Sequence, residues 1–269
     1  MSAVGEAFQK AKARGKGALI GYIVAGDPKP ELTPKIADAL ISGGVDVLEL
    51  GLPFSDPIAD GPTIQAASVR ALAAGTTPLR VLEIAKEIKQ RHYVPIVVMT
   101  YYNPIFRIGI EKFMSSAQDH MVDGFIVPDL PVEEASEYKE AATTHGLDTI
   151  FLAAPSTSNE RLTKIVNASS GFLYLVSHFG VTGAKTEVED STFRLIKRVQ
   201  PFTVGKVPLA VGFGISKPEH VRRVIAAGAD AAIVGSAFIN IIQKNSHNTA
   251  TMRNELHATA QALKSATKT

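Results

Sequence analysis

Gly44-Val45-Asp46-Val47-Leu48-Glu49-Leu50-Gly51 reads as the end of one helix followed by the whole of a strand. Glycine ends a helix because it accepts positive φ, and the apolar run after Asp46 has strand length. The same joint recurs at Gly146-Leu147-Asp148 and Gly228-Ala229-Asp230, with Met121-Val122-Asp123 as a variant lacking the glycine. Working outward, apolar runs of strand length occupy 18–25, 45–50, 95–101, 124–127, 149–153, 172–176, 207–211 and 231–234. Between them lie stretches with helical spacing at 30–42, 64–72 with 79–89, 110–118, 132–144, 160–167, 191–199 and 218–227, and 252–263 closes the chain. Eight strand–helix units without a Pro/Ser-rich linker favour an α/β fold of one kind, a single (β/α)8 TIM barrel domain over 1–269, above an open doubly wound sheet. An extra N-terminal helix precedes the first strand, and a short helix at 238–243 follows the eighth.

The chain has 269 residues, 28 Lys plus Arg against 26 Asp plus Glu, and no Cys. That length suits one barrel of about 250 residues. A net charge of +2 without a basic block is not a nucleic-acid-binding composition. Without Cys there are no disulfides, thiolate nucleophiles, iron–sulfur clusters or Cys-type zinc sites. The longest apolar stretch, 225–242, is broken by Asp230, Ser236 and Asn240, so no membrane span is expected. Lys10, Lys12, Arg14 and Lys16 before the run 18–25 faintly imitate a signal peptide, but Glu6 and the following Gly26-Asp27-Pro28 favour a short helix and a buried strand. The expectation is a soluble, cytoplasmic protein.

Barrel chemistry gathers where strands end and loops begin. Strand parity puts Val45, Val47 and Glu49 on one face. A buried carboxylate answers desolvation by raising its pKa, which suits a group that gives and takes a proton near neutrality. The strand alone equally allows a structural ion pair at the rim. Eleven residues on, in a loop stiffened by Pro53, Pro57 and Pro62, stands Asp60; taken alone it reads better as a turn or cap residue before Gly61-Pro62. Two acids in different environments are nonetheless what separates proton transfer from charge stabilisation. After the seventh and eighth strands come Gly212-Phe213-Gly214-Ile215-Ser216 and Gly235-Ser236-Ala237, the loops on which barrel enzymes hold phosphate, next to a short helix whose N-terminus faces the anion. Lys217 stands where a dinucleotide fingerprint would need a third glycine. No strand run contains Lys, and of seven His only His178 sits at a strand end, so neither a Schiff base nor a metal site is expected. The residues favour metal-free proton transfer on a phosphorylated substrate.

The string from Leu48 to Gln65, LELGLPFSDPIADGPTIQ, closely resembles the hallmark segment of the tryptophan synthase α subunit family. Gly26-Asp27-Pro28, Pro128-Asp129-Leu130-Pro131-Val132-Glu133-Glu134, Gly180-Val181-Thr182-Gly183 and Gly212-Phe213-Gly214-Ile215-Ser216 follow in the family's order, covering the chain from Ala18 to Ile242. The resemblance implies a lyase that cleaves indole-3-glycerol phosphate to indole and glyceraldehyde 3-phosphate in tryptophan biosynthesis. It implies that Glu49 shuttles protons, Asp60 accepts the indole N–H and Tyr174 supports them. Gly183, Gly214, Gly235 and Ser236 match phosphate contacts; Tyr22, Ile64, Thr100, Ile126 and Phe213 match the indole pocket. Thr182, in a lid over 177–190, would bond Asp60 on closure, and Asp56 would face a β subunit. No cofactor is implied in this chain, pyridoxal phosphate belonging to the β subunit of an α2β2 heterotetramer with allosteric coupling. One departure is His178-Phe179 where many members carry Arg, which leaves the lid's detailed contacts open. Another phosphosugar barrel, an epimerase or the synthase that forms the indole substrate, would want His or Lys at strand ends. A purely activating partner of a β subunit would tolerate loss of either acid, and both are present.

Overall fold

The computed structural model describes residues 1–176, 185–212 and 214–268, with the backbone alone described for 185–190. Nine strands are described: β1 (Ala18–Val24), β2 (Val47–Gly51), β3 (Ile96–Met99), β4 (Gly124–Ile126), β5 (Asp148–Ile150), β6 (Leu152–Ala153), β7 (Leu173–Val176), β8 (Leu209–Gly212) and β9 (Ala231–Val234). All pair in parallel, in the order β5-β4-β3-β2-β1-β9-β8-β7-β6. Only Phe151 separates β5 from β6, so the two ends of that order are pieces of one stave and the sheet closes into an eight-stave barrel. Every stave falls within two or three residues of its sequence expectation.

The helices are α1 (Ala3–Ala13), α2 (Thr33–Ser42), α3 (Pro62–Ala73), α4 (Pro78–Lys89), α5 (Tyr102–Ile108), α6 (Ile110–Asp119), α7 (Ser136–Thr144), α8 (Asn159–Ala168), α9 (Lys185–Thr203), α10 (Pro218–Ala226), α11 (Ser236–Lys244) and α12 (Thr249–Ser265). Three expectations change. Helix α5 was hidden in the sequence because it is only two turns long and buries little besides Ile105. The stretch 132–144 becomes helical only from Ser136, after a turn closed by Glu134 N to Pro131 O (3.0 Å). Helix α9 begins at Lys185, six residues before the apolar spacing that predicted it, so the last six residues of the proposed 177–190 lid are helical.

Strand alternation sorts the core into two layers. Ile20, Tyr22, Val24, Val47, Val97, Met99, Ile126, Ile150, Tyr174, Ala210 and Ile233 fill the barrel, and Phe8 and Val4 of α1 join them, with the Phe8 ring 5.8 Å from Phe172. The intervening residues, among them Leu19, Leu48, Leu50, Ile96, Val98, Phe125, Leu173 and Val211, pack outward under the helices. Val45 belongs to that outer layer, not with Val47 and Glu49, because β2 starts only at Val47 and Asp46 is turned to another task.

That task explains the repeated joint. Asp46 Oδ2 accepts from Leu19 N (2.7 Å), Asp123 Oδ2 from Ile96 N (2.6 Å) and Asp230 Oδ2 from Leu209 N (2.8 Å). In the remaining quarter of the barrel Ser170 Oγ accepts from Thr149 N (2.8 Å). Each odd stave thus has the amide of its first or second residue latched by a side chain at the foot of the next stave, giving four similar two-stave units. At the joints Gly44, Gly146 and Gly228 have φ of +105°, +68° and +108°, and Met121 adopts +61° where the glycine is missing.

Candidate functional site

The C-terminal ends of the staves gather most of the residues singled out by sequence. Glu49 is the third residue of β2, paired in register with Tyr22 of β1 and Val97 of β3. It is 1 % exposed, and among the described residues neither carboxylate oxygen has a hydrogen-bond partner. Burial, and then the charge of Asp60, pushes its pKa from 4.5 up to about 8. Such a group is largely protonated at neutrality yet close enough to ionisation to work in both directions. The rim ion-pair reading of Glu49 therefore does not hold.

The capping reading of Asp60 fails for a different reason. Gly61 is the N-cap of α3, with Pro62 in the first turn and no side-chain capping bond. The Asp60 backbone carbonyl accepts from Gln65 Nε2 (2.9 Å), which leaves the carboxylate to the barrel mouth. Burial pushes its pKa up to about 6, opposed by a hydrogen bond from Tyr101. The two acids thus sit at different points of the titration scale, Asp60 mostly ionised and Glu49 mostly protonated near pH 7.

Two tyrosines enclose this pair. Tyr22 and Tyr174 are 5 % and 7 % exposed, and both are raised well above 10 by burial and by the charges of Glu49 and Asp60, so both remain neutral hydroxyls. Tyr22 lies over Gly51, where a Cβ would collide with its hydroxyl, and its ring reaches Gly235, where a Cβ would stand 3.0 Å from Cδ1. Tyr174 lies in the same way over Gly212 on the adjacent stave. The glycines of these loops are required for close approach of an aromatic side chain as well as for any ligand. Thr100 and Ile126 are buried at the ends of β3 and β4, and Ile64, in the first turn of α3, packs on the interior layer.

Gly235 is the N-cap of α11, so Ser236 opens a nine-residue helix towards the mouth, and Gly214 follows β8 with φ +75°. The amides and dipole at the start of α11 suit an anion. Thr182, Gly183, His178 and Phe213 lie outside the described residues. Asp56 is exposed on the outer side of the 53–62 loop, accepting from Ser55 Oγ (2.5 Å), next to Ile58, itself 84 % exposed. Among the described residues no group of three or more His, Asp or Glu could hold a metal ion, and no helix is long and apolar enough to cross a membrane.

One site residue was missed by sequence reasoning. Tyr101 follows the buried Thr100 at the end of β3; its hydroxyl accepts from Ala59 N (2.9 Å) and its ring stacks on Phe54, centroids 5.2 Å apart. A tyrosine directly after an apolar strand run was the available signal, but that run was read as extending through it.

Comparison with known proteins agrees with this geometry. Residues 8–268 match the family model described as tryptophan synthase alpha chain. The tryptophan synthase alpha chain of Methanosarcina barkeri is 50 % identical over 265 residues, which cover 98 % of this chain and 97 % of that one. The crystal structure of tryptophan synthase subunit alpha from Legionella pneumophila superposes with a TM-score of 0.90 at 36 % identity, covering 99 % of this chain and 98 % of that one. A chain of the open form of tryptophan synthase from M. tuberculosis gives 0.86 at 33 %, covering 98 % and 99 %. A closed barrel with one buried and one half-buried acid at its mouth and a family match over nearly its whole length together mean that the chain belongs to the tryptophan synthase alpha chain family, whose members cleave indole-3-glycerol phosphate in tryptophan biosynthesis.

Proposed function

We propose that residues 1–269 act as one barrel domain, a cytoplasmic lyase in which Glu49 and Asp60 divide the retro-aldol cleavage of indole-3-glycerol phosphate between them. The observation that carries this reading is the unpartnered, buried Glu49 carboxylic acid facing an ionised Asp60. Glu49 gives its proton to indole C3, and the ring becomes an indoleninium whose positive charge spreads to N1. Asp60 accepts the N1–H hydrogen bond and stabilises that charge as it develops. The Glu49 carboxylate then takes the proton of the side-chain hydroxyl. The carbon–carbon bond breaks, its electron pair returns to the ring, and indole and the aldehyde of glyceraldehyde 3-phosphate leave. Glu49 ends protonated, as it began.

Tyr174 supports the acids as a neutral donor, Tyr22, Ile64, Thr100, Ile126 and Phe213 form the indole wall, and Gly183, Gly214, Gly235 and Ser236 receive the phosphate. Thr182 closes on Asp60 as part of a lid. The chain uses no cofactor of its own and no nucleic acid or membrane. Its partner is a tryptophan synthase β subunit carrying pyridoxal phosphate, met through Asp56 in an α2β2 assembly that receives the indole. That the relatives are alpha chains, and that the similar M. tuberculosis chain comes from a structure of tryptophan synthase, supports that pairing.

The experiment is indole release from indole-3-glycerol phosphate by the full chain, with and without β subunit, for wild type and Glu49→Gln. Glu49→Gln binds substrate and loses more than about a hundredfold in turnover, the usual scale of general acid–base catalysis. No indole from the wild-type chain under either condition overturns the activity, and a Glu49→Gln variant within about tenfold of wild type overturns the role of Glu49.

A further inference from the structure

We propose that Tyr101 is the positioning residue for Asp60: seated on the Ala59 amide and backed by Phe54, its hydroxyl aims the Asp60 carboxylate into the barrel mouth and keeps it charged. This rests on the reading of Asp60 given above.

The loop carrying Asp60 has little else to orient it. Its backbone bonds near the tip are internal turns, Ile58 N to Asp56 O (3.0 Å) and Asp60 N to Pro57 O (3.1 Å), and the Asp60 carbonyl accepts from Gln65 Nε2 of α3 (2.9 Å), which holds the backbone but not the carboxylate. The tie to the next stave is Ala59 N to Tyr101 Oη at 2.9 Å. A phenol that accepts through its oxygen still has one proton to give, and the Asp60 carboxylate, next in the chain to the Ala59 amide seated on that oxygen, is the acceptor beside it that the proton can serve. Donation of the amide to the phenol also polarises the O–H, strengthening the second bond. Tyr101 is itself fixed on every side. It is 4 % exposed, its ring is stacked on Phe54 at 28°, its carbonyl accepts from Thr100 Oγ1 (3.1 Å), and Asp129 Oδ1 accepts from the Tyr102 amide that follows (2.9 Å). Stacking and burial alone would be satisfied by phenylalanine; the hydroxyl has its use in bridging the loop backbone and the carboxylate.

The groups around Asp60 make such a donor necessary. Glu49 faces it from β2, Tyr22 from β1 and Tyr174 from β7, with Asp129 beyond Tyr101 on the loop after β4. None of these is a cation. Burial pushes Asp60 up to about 6, and the Tyr101 hydrogen bond is what pulls it back. Losing a hydrogen bond to a charged group moves a carboxylate's midpoint upward by about one pH unit.

The test is Tyr101→Phe, which keeps the ring and the Phe54 stack, with kcat and KM for indole release measured from about pH 5.5 to 9. The acid limb of kcat/KM moves up by about one pH unit; the loss is about fivefold near pH 6 and under about twofold above pH 8, and it falls mainly on kcat. In an Asp60→Asn background the same substitution costs less than about twofold, because the residue it acts through has gone. A loss of equal size at all pH values, a change confined to KM, an equal loss in both backgrounds, or no loss overturns the proposal. Carboxylate NMR titration of Asp60 in the two proteins reads the same midpoint without turnover. If the wild-type chain releases no indole, the lyase reading falls, and an unmoved Asp60 midpoint in Tyr101→Phe still decides against Tyr101 separately.

Discussion

Glu49 should cost this protein stability, and the cost should depend on pH in a way that isolates its ionisation. Its pKa is 4.5 in the unfolded chain and about 8 in the fold, raised by burial and then by Asp60. Between those values the folded state keeps a proton that the unfolded state has released. Stability is therefore highest below about pH 4.5 and falls as pH rises towards 8, by about 1.4 kcal/mol per pH unit for this one group. From pH 5 to 7.5 the loss is about 3 kcal/mol, a large part of a folding free energy of about 5–15 kcal/mol. Glu49→Gln removes the titration and keeps the shape. Its amide is buried without a partner too, but that penalty is constant with pH. The assay is urea unfolding of wild type and Glu49→Gln at pH 5, 6, 7 and 8, compared as a difference at each pH. The variant gains on wild type at every step up, and the gain levels off above pH 8. A difference flat in pH, or one shrinking as pH rises, would mean that Glu49 is ionised in the fold at neutrality, and the proton-shuttle mechanism would lose its physical basis.

Met121→Gly should raise stability by about 0.5–1 kcal/mol in thermal unfolding, since a side chain at φ +61° carries backbone strain that glycine does not, offset in part by the extra freedom of glycine in the unfolded chain. Asp123→Ala leaves the buried Ile96 amide and Lys89 without their acceptor (2.6 and 2.8 Å) and should cost about 2–3 kcal/mol in urea unfolding, most of it recovered by Asp123→Asn if the latch to the amide matters more than the ion pair. Arg70→Met strips the bidentate partner, at 2.7 and 2.8 Å, from Asp27, whose side chain is fully buried. It should cost about 3–5 kcal/mol at pH 8 and less at pH 5, where the lone carboxyl protonates; a pH-independent loss would speak against an unpaired charge.

The architecture was legible because it is written in local chemistry three times over. Helix end, aspartate and apolar stave recur at Asp46, Asp123 and Asp230, and each element needs only its own neighbours to form. Asp148 shows the limit of that reading. It belongs to the same sequence pattern, yet the latch in its quarter is Ser170, and one oxygen of the buried Asp148 has no hydrogen-bond partner. Glu49 was legible as an acid in an apolar run, but the strand alone left a rim ion pair equally open; the burial that decides between them comes from the closed barrel around it. Tyr101 was not, since its importance comes from Ala59 and Asp60, some forty residues earlier, and no spacing along the chain announces a contact between two loops. Helix α5 escaped for the opposite reason: its formation owes more to the bond from the Tyr102 amide to Asp129 than to any pattern of its own.

The two core layers explain how a barrel can keep an unpartnered acid at its mouth. The outer layer joins the staves to the helices through apolar side chains, so much of the scaffold's apolar burial lies away from the interior surface near the site and can offset the cost of Glu49. The inner layer is closed from below by α1 and grows polar only towards the C-terminal ends, where Glu49, Tyr22 and Tyr174 replace aliphatic side chains. A substrate entering there brings an N–H for Asp60 and a hydroxyl for Glu49. Binding then offsets part of the desolvation already built into the fold, and the relief is greatest when the ring carries positive charge between the two acids. The stability lost through Glu49 and the stabilisation of the charged intermediate are thus two consequences of one placement. A variant that gains the first by removing the carboxylate should forfeit the second by the same change.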